Sequence, residues 1–265
     1  MKHALVNIAV KAARSAGNII IRASDRLDTL TITEKNPRDY VTEIDQQAER
    51  EIVNTIRKAY PSHAIIAEEG HNAEGDEYTW IIDPLDGTRN FIHGVPHYCI
   101  SIAIMHKNKV EHGVIYDPVR QELFTASRGK GVTLNDRRLR VSKRHSPDSC
   151  LLGTGSPHTS SEEEKEAYHA SYASVLEQTK DIRRCGAAAL DLAYVAAGRF
   201  DGFWEMGLKL WDIAAGLLMV KEAGGLVSDF QGGENYLESG NIVAGNPKIF
   251  KFLLQTLGPS LAHLR

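Results

Sequence analysis

An apolar run ends in two carboxylates three residues apart in Trp80-Ile81-Ile82-Asp83-Pro84-Leu85-Asp86-Gly87-Thr88-Arg89-Asn90-Phe91. Hard oxygen ligands at the end of a strand suit Mg²⁺, which takes one or two carboxylates together with phosphate oxygens. The Gly-Thr pair behind them offers backbone N–H groups to an anion, and glycine lets that backbone come close. Two further acids stand where a strand or loop meets a helix. They are Glu68 in Ala67-Glu68-Glu69-Gly70 and Asp212 in Trp211-Asp212-Ile213-Ala214-Ala215-Gly216. Taken singly, Asp83-Pro84 is a turn signal, Asp212 a helix N-cap and Glu68 a solvated loop acid. Taken together they are four negative charges, and a fold that gathers them needs a cation to pair with them. The chemistry implied is metal-assisted cleavage of a phosphate ester.

The elements that position these residues follow from periodicity. A helical stripe predicts a first helix over His3–Ala23. A second helix opens near Thr42, where Thr42 and Asp45 have the spacing of a capping pair. Strands are predicted at Ala64–Ala67, Thr79–Ile82, Tyr98–Met105, Val110–Tyr116 and Glu122–Ser127. Asn135-Asp136 marks a hairpin turn before a strand over Leu139–Ser142. The first part reads as two helices against a large, mainly antiparallel sheet.

From Pro147 strands and helices alternate. Strands are expected at Leu151–Thr154, Asp181–Arg184, Phe200–Glu205, Leu226–Asp229 and Ile242–Ala244. Helices are expected from Ser160 or Ser161 to Gln178, over Ala187–Ala197, from Asp212 to Gly224-Gly225, and from Pro247 onward. The class is α+β to α/β. A lobe over residues 1–146 would bind metal and phosphate, and a lobe over 147–265 would complete the substrate site as part of one compact unit.

Composition narrows the alternatives. The 265 residues are 42% hydrophobic and 25% charged, with a net charge of -3. That is an ordinary globular balance without a global basic field for nucleic acid. Cys99, Cys150 and Cys185 are odd in number and widely spaced, which fits a reducing cytoplasm better than a disulfide framework. The first helix carries Lys11 and Arg14 among its apolar residues, so it is expected to be amphipathic and not to span a membrane. A phospho-aspartyl route of the haloacid dehalogenase type is excluded, because the residue two before Asp86 is Pro84, which cannot be a nucleophile. Direct attack by metal-activated water is the route left.

These motifs carry a resemblance to the inositol monophosphatases, particularly their bacterial branch. The first signature is the stretch from Trp80 to Phe91. The second is Trp211 to Gly216, followed by Glu222-Ala223-Gly224-Gly225. Lys35, Asp45, Glu68-Glu69, Arg183 to Ala188 and Glu205-Met206-Gly207 fall in order between and around them. The resemblance implies a layered αβαβα sandwich, usually a homodimer, with two to three Mg²⁺ ions. It assigns the first ion to Glu68, Asp83 and the Leu85 carbonyl, and the second to Asp83, Asp86 and Asp212. A third, weaker ion would sit near Glu68. Thr88, oriented by Asp45, would work with Glu68 on the attacking water, and Gly87 and Thr88 N–H groups would hold the phosphate. Gly186, Ala187 and Ala188, with Asp86, Asp212 and Glu205, would meet the inositol hydroxyls, and Arg183 is a further substrate-side candidate. Arg89, Ala67 and Ala187 depart from the commoner family residues without touching the metal ligands.

The implied activity is Mg²⁺-dependent, lithium-sensitive hydrolysis of a phosphorylated polyol, myo-inositol monophosphate, in the cytoplasm. Related enzymes act on 3′-phosphoadenosine 5′-phosphate, fructose 1,6-bisphosphate or histidinol phosphate. Bacterial members are also linked to transcription and RNA processing, so a non-catalytic partner is the alternative. Smaller features read more plainly. Gly153-Thr154-Gly155-Ser156 reads as a loop beside the site, since it lacks the residues of a nucleotide loop. His93 and His97 read as rim residues. The basic run from Arg137 to Arg144 reads as a solvated sheet edge, with an RNA or acidic-protein docking patch as the alternative.

Overall fold

A computed structural model of the chain describes residues 3–36, 39–157, 159, 161–179 and 181–264. Its first helix, α1 (Ala4–Ser24), buries Leu5, Val6, Ala9, Ala12, Ala13, Ala16 and Ile20 along one stripe. A two-stranded antiparallel hairpin follows, β1 (Ile32–Asn36) and β2 (Asp39–Thr42). Nothing in the alternation of the sequence announced it, and Ile32 at its start is exposed. The second helix, α2 (Glu43–Ala59), starts as its capping pair requires. Thr42 caps it and Asp45 answers from the third helical position, its Oδ2 accepting the Thr42 N–H at 2.8 Å.

Seven strands then form the larger sheet: β3 (Ala64–Ala67), β4 (Tyr78–Asp86), and, after the short α3 (Thr88–Ile92), β5 (Cys99–His106), β6 (Lys109–Asp117), β7 (Glu122–Ser127), β8 (Gly131–Leu134) and β9 (Arg137–Arg138). They lie side by side in chain order. Only β3 and β4 run parallel, and every other neighbouring pair is antiparallel. Asn135 and Asp136 both hold left-handed backbone, as a two-residue hairpin turn demands. The strand expected over Leu139–Ser142 does not form. The chain leaves the sheet there instead: Val141 N–H donates to Ala223, and Ser142 and Arg144 bond to buried Asp201.

The rest of the chain supplies β10 (Leu151–Thr154), α4 (Glu162–Leu176), β11 (Asp181–Arg183), α5 (Ala188–Ala196), β12 (Gly202–Glu205), α6 (Leu210–Glu222), β13 (Leu226–Ser228), α7 (Tyr236–Ser239), β14 (Ile242–Gly245) and α8 (Pro247–Leu261). Five strands make a second sheet in the order β11-β10-β12-β14-β13. Every residue of α5 but Tyr194, and the unbroken run Ile213–Val220 of α6, is buried, the mark of helices covered on all sides. They sit between the two sheets, α1 and α2 cover the outer face of the first, and α4 and α8 cover the second. The result is five layers, αβαβα. Among the described residues α1 is the one helix long and apolar enough to cross a membrane, yet its apolar stripe is occupied by α2 and the large sheet.

Candidate active site

Strand register brings the first two acids together. Because β3 pairs in parallel with β4, Ala67 lies opposite Ile82, so Glu68 and Asp83 leave adjacent strands side by side. The Glu68 N–H donates to the Ile82 carbonyl at 3.1 Å. Buried Glu49 on α2 sets the turn beyond. It accepts N–H groups from Glu69 at 2.7 Å and His71 at 3.1 Å, and meets the His71 ring at 2.6 Å.

A register slip between Asp83 and Asp86 then turns both carboxylates out of the ladder. Leu85 N–H donates to Asp83 at 3.0 Å, and Ala189 N–H at the start of α5 donates to Asp86 at 2.8 Å. The fourth acid arrives from across the interior. Ser101, opposite Asp83 on β5, donates its hydroxyl to the Trp211 carbonyl at 3.2 Å, which ties the start of α6 to the same strand end. Asp212 accepts the Lys209 N–H at 2.7 Å. Asp212 therefore stands in the third position of α6, not at its cap as the sequence suggested.

Electrostatics report the crowding. Burial pushes the Asp83 carboxyl well above its ordinary range, and the charges of Glu68, Asp86 and Asp212 push it further. Asp86 is raised by burial and by Asp212 against the bond from Ala189, with Asp191 and Glu205 also felt there. Carboxylates held this way repel one another in a low dielectric, and a hard dication with oxygen preference relieves that repulsion. The donor set therefore fits Mg²⁺.

The turn after Asp86 needs its glycine. Gly87 has φ +95°, and a Cβ there would lie 3.0 Å from the His97 carbonyl and 3.3 Å from Ala187 Cβ. Thr88 follows at the start of α3. Its hydroxyl lies 2.9 Å from Asp45 Oδ1 and 3.0 Å from the Leu85 carbonyl. Asp45 is buried, which raises its pKa against the bonds from Thr42 and Thr88.

The loop Gly186-Ala187-Ala188 backs onto this turn, held by Asn90, whose amide donates to the Cys185 carbonyl at 2.8 Å and the His97 carbonyl at 2.7 Å. Glu205, buried at the end of β12, accepts Ser156 N–H at 3.2 Å, and Gly155 packs so close that a Cβ there would strike the carboxylate. The loop Gly153 to Ser156 is thus beside the candidate site. Arg183 stands apart. It is exposed on edge strand β11 and pairs with Asp181 of the same strand. His97 is not a rim residue: it is nearly buried against Asp191 of α5, an acid that sequence reading passed over inside a run of small apolar residues.

Two stacked sheets enclosing a pair of helices, with four acids gathered just past β3, at the end of β4 and at the start of α6, define a layered phosphatase-type fold whose oxygen donors suit a cation. The chain belongs to the inositol monophosphatase family, whose model matches residues 1–260. It is 58% identical over 262 residues to the Nus factor SuhB of Pseudomonas aeruginosa, covering 97% of each chain. With the Nus factor SuhB of Escherichia coli it shares 49% over 266 residues, 98% of each. The crystal structure of the extragenic suppressor protein SuhB of Bartonella henselae superposes with a TM-score of 0.93 at 45% identity, over 96% of this chain and 98% of that one. An IMPase of Thermotoga maritima gives 0.89 at 36% identity, over 99% of this chain and 100% of that one.

Proposed function

We propose that the protein is a Mg²⁺-dependent phosphomonoesterase that releases inorganic phosphate from myo-inositol monophosphate. The observation that carries the reading is the convergence of Glu68, Asp83, Asp86 and Asp212, with Glu205 at its edge. Glu68, Asp83, the Leu85 carbonyl, Asp86 and Asp212 would hold two to three ions. Bound there, the ions supply charge neutralisation of the phosphoryl oxygens and acidify the attacking water. The chain's own residues do the rest. Gly87 and Thr88 N–H groups orient the phosphate at the turn. Asp45 takes the Thr88 hydroxyl proton in a hydrogen bond, which leaves the Thr88 oxygen free to accept from water. Glu68 then receives the water proton. Gly186, Ala187 and Ala188 form the wall against which the polyol rests, and Asp86, Asp212 and Glu205 accept its hydroxyls. Arg183 would act only on the parts of a substrate that extend beyond this wall.

Comparing kcat/KM for inositol 1-phosphate, 3′-phosphoadenosine 5′-phosphate, fructose 1,6-bisphosphate and histidinol phosphate under saturating Mg²⁺ tests the substrate. Inositol phosphate is expected to lead, with activity abolished by chelator and inhibited by millimolar lithium. A clear lead for another ester would replace the substrate while keeping the site.

A second reading rests on the relatives. Two at 58% and 49% identity are called Nus factors, which favours a partner in transcription or RNA processing; a cytoplasmic homodimer is the working form that the family resemblance implies. A deletion strain decides between them. If Asp86→Asn rescues the strain as well as the unaltered gene, the cellular role lies in the partner and not in hydrolysis.

A further inference from the structure

Behind the wall of the candidate site lies a second constellation with different chemistry. A ring nitrogen of His97, the Cys185 sulfur and an Asp191 carboxylate oxygen all lie within 4.8 Å of one another. They come from three separate places: the segment before β5, the loop before α5, and the first turn of α5. Asn90 clasps two of these places together, since its amide reaches the carbonyls of both His97 and Cys185. Tyr194 meets the His97 ring edge-on at 5.8 Å and fixes its plane.

Two atoms in the cluster are anomalous. Asp191 Oδ1 and His97 Nε2 are buried and lie 3.4 Å apart, yet neither has a hydrogen-bond partner of acceptable geometry. Buried polar atoms are almost always satisfied, and each exception calls for a physical reason. A tetrahedral Zn²⁺ with bonds of about 2.0–2.3 Å sets its ligand atoms roughly 3.3–3.6 Å apart. The His97–Asp191 edge already has that length. Nitrogen, sulfur and one carboxylate oxygen form a donor set that a borderline metal prefers and Mg²⁺ does not.

We infer that His97, Cys185 and Asp191 form a binding site for one zinc-class divalent cation, separate from the carboxylate centre and directly behind the 186–188 loop. In the cation-free protein burial and Asp191 hold the Cys185 thiol up at about 12, so sulfur keeps its proton. Coordination replaces that S–H bond with a metal–sulfur bond and releases the proton to solvent. The ion would tie the loop before α5 to the segment before β5, stiffening the wall that the polyol meets.

Cobalt(II) reads the site, because thiolate ligation gives a near-ultraviolet charge-transfer band that carboxylate ligation does not. The full-length protein, stripped of metal and kept reduced with a phosphine, is titrated with CoCl₂. The band is expected to saturate at one equivalent and to vanish on adding ZnCl₂. Cys185→Ser is expected to abolish it, Asp191→Asn to weaken cobalt binding at least tenfold, and Asp83→Asn to leave it intact, with circular dichroism confirming each fold. The inference is overturned if the unaltered protein shows no band at saturating cobalt. It is equally overturned if the band survives Cys185→Ser, which would assign it to Cys99 or Cys150, or disappears in folded Asp83→Asn.

Discussion

Buried acids occur in two kinds of place in this molecule. Glu49, Asp117, Asp201 and Asp229 are each surrounded by donors. Asp229 accepts N–H groups from Gln231, Gly233 and Asn235, and Asp117 accepts those of Val119 and Arg120 as well as the Arg120 guanidinium. Asp201 holds Leu151 N–H, Ser142 and Arg144. Asp83 and Asp86 instead face mainly other carboxylates. The first kind staples loops to elements. The second stores repulsion that a proton or a bound cation relieves, and such perturbed acids gather at functional sites. The two kinds predict opposite responses to loss of the acid's charge.

Asp83→Asn gives the largest expected effect. Phosphatase activity will fall at least about a thousandfold, the several kcal/mol expected from cation-borne charge stabilisation. Stability in chelator will rise, because a repelling charge is gone. The pH dependence has a definite sign. A carboxyl raised in the fold binds its proton more tightly folded than unfolded, so the cation-free protein loses stability as pH rises above about 4. Saturating Mg²⁺ should flatten that slope, and Asp83→Asn should reduce it. Thermal melts across pH with chelator and with Mg²⁺ measure both. A less stable Asp83→Asn in chelator would put Asp83 in the stapling class.

Asp201→Ala is the mirror experiment. It strands the Leu151 N–H and the Ser142 hydroxyl, while Arg144 can turn to water, so the cost is about 2–3 kcal/mol. For a chain of this size that lowers Tm by about 5–10 °C. Activity at low temperature should stay close to normal. A large loss of kcat in folded protein would erase the distinction between the two kinds of acid.

Much of this contrast is legible in the amino-acid order. Apolar runs ending in Asp83 and Glu68, and the helix signal around Asp212, suffice to nominate the cluster. The Thr42–Asp45 pair states its own cap. What the order does not contain is register. That Glu68 lies beside Asp83 follows from a parallel pairing of β3 and β4, which no local pattern encodes. The basic stretch after Arg138 read as a strand because its alternation is real, yet a distant acid, Asp201, draws it off the sheet. Asp191 was missed although a signal existed: one charge inside an otherwise apolar helical run is a buried acid in need of a partner.

Thr88→Ala probes the junction between the classes, since Asp45 staples α2 through one oxygen and meets Thr88 through the other. Loss of a positioned acid–base group costs roughly a hundredfold in rate. Both bonds from Thr42 survive, so Tm should barely move. Near-normal kcat with a large drop in Tm would make Thr88 a structural hydroxyl.

Glu205→Gln carries the smallest effect and the finest distinction. Glu205 is intermediate between the two kinds of acid: buried, bonded to one N–H from Ser156, and within electrostatic reach of Asp86. If it accepts hydroxyls from a polyol, the amide keeps the shape but weakens charge-assisted acceptance. The loss should be about 1–2 kcal/mol, or roughly five- to thirtyfold in kcat/KM, for inositol phosphates. A simple ester such as glycerol 2-phosphate presents fewer hydroxyls there and should lose much less. The Mg²⁺ midpoint should not shift, because Glu205 is placed outside the ion set. Titrating Mg²⁺ against both esters on the same variant separates the outcomes. Equal losses with an unchanged midpoint would leave Glu205 holding only the Gly155–Ser156 loop. A displaced midpoint would move it among the cation ligands and leave the polyol without its clearest side-chain contact.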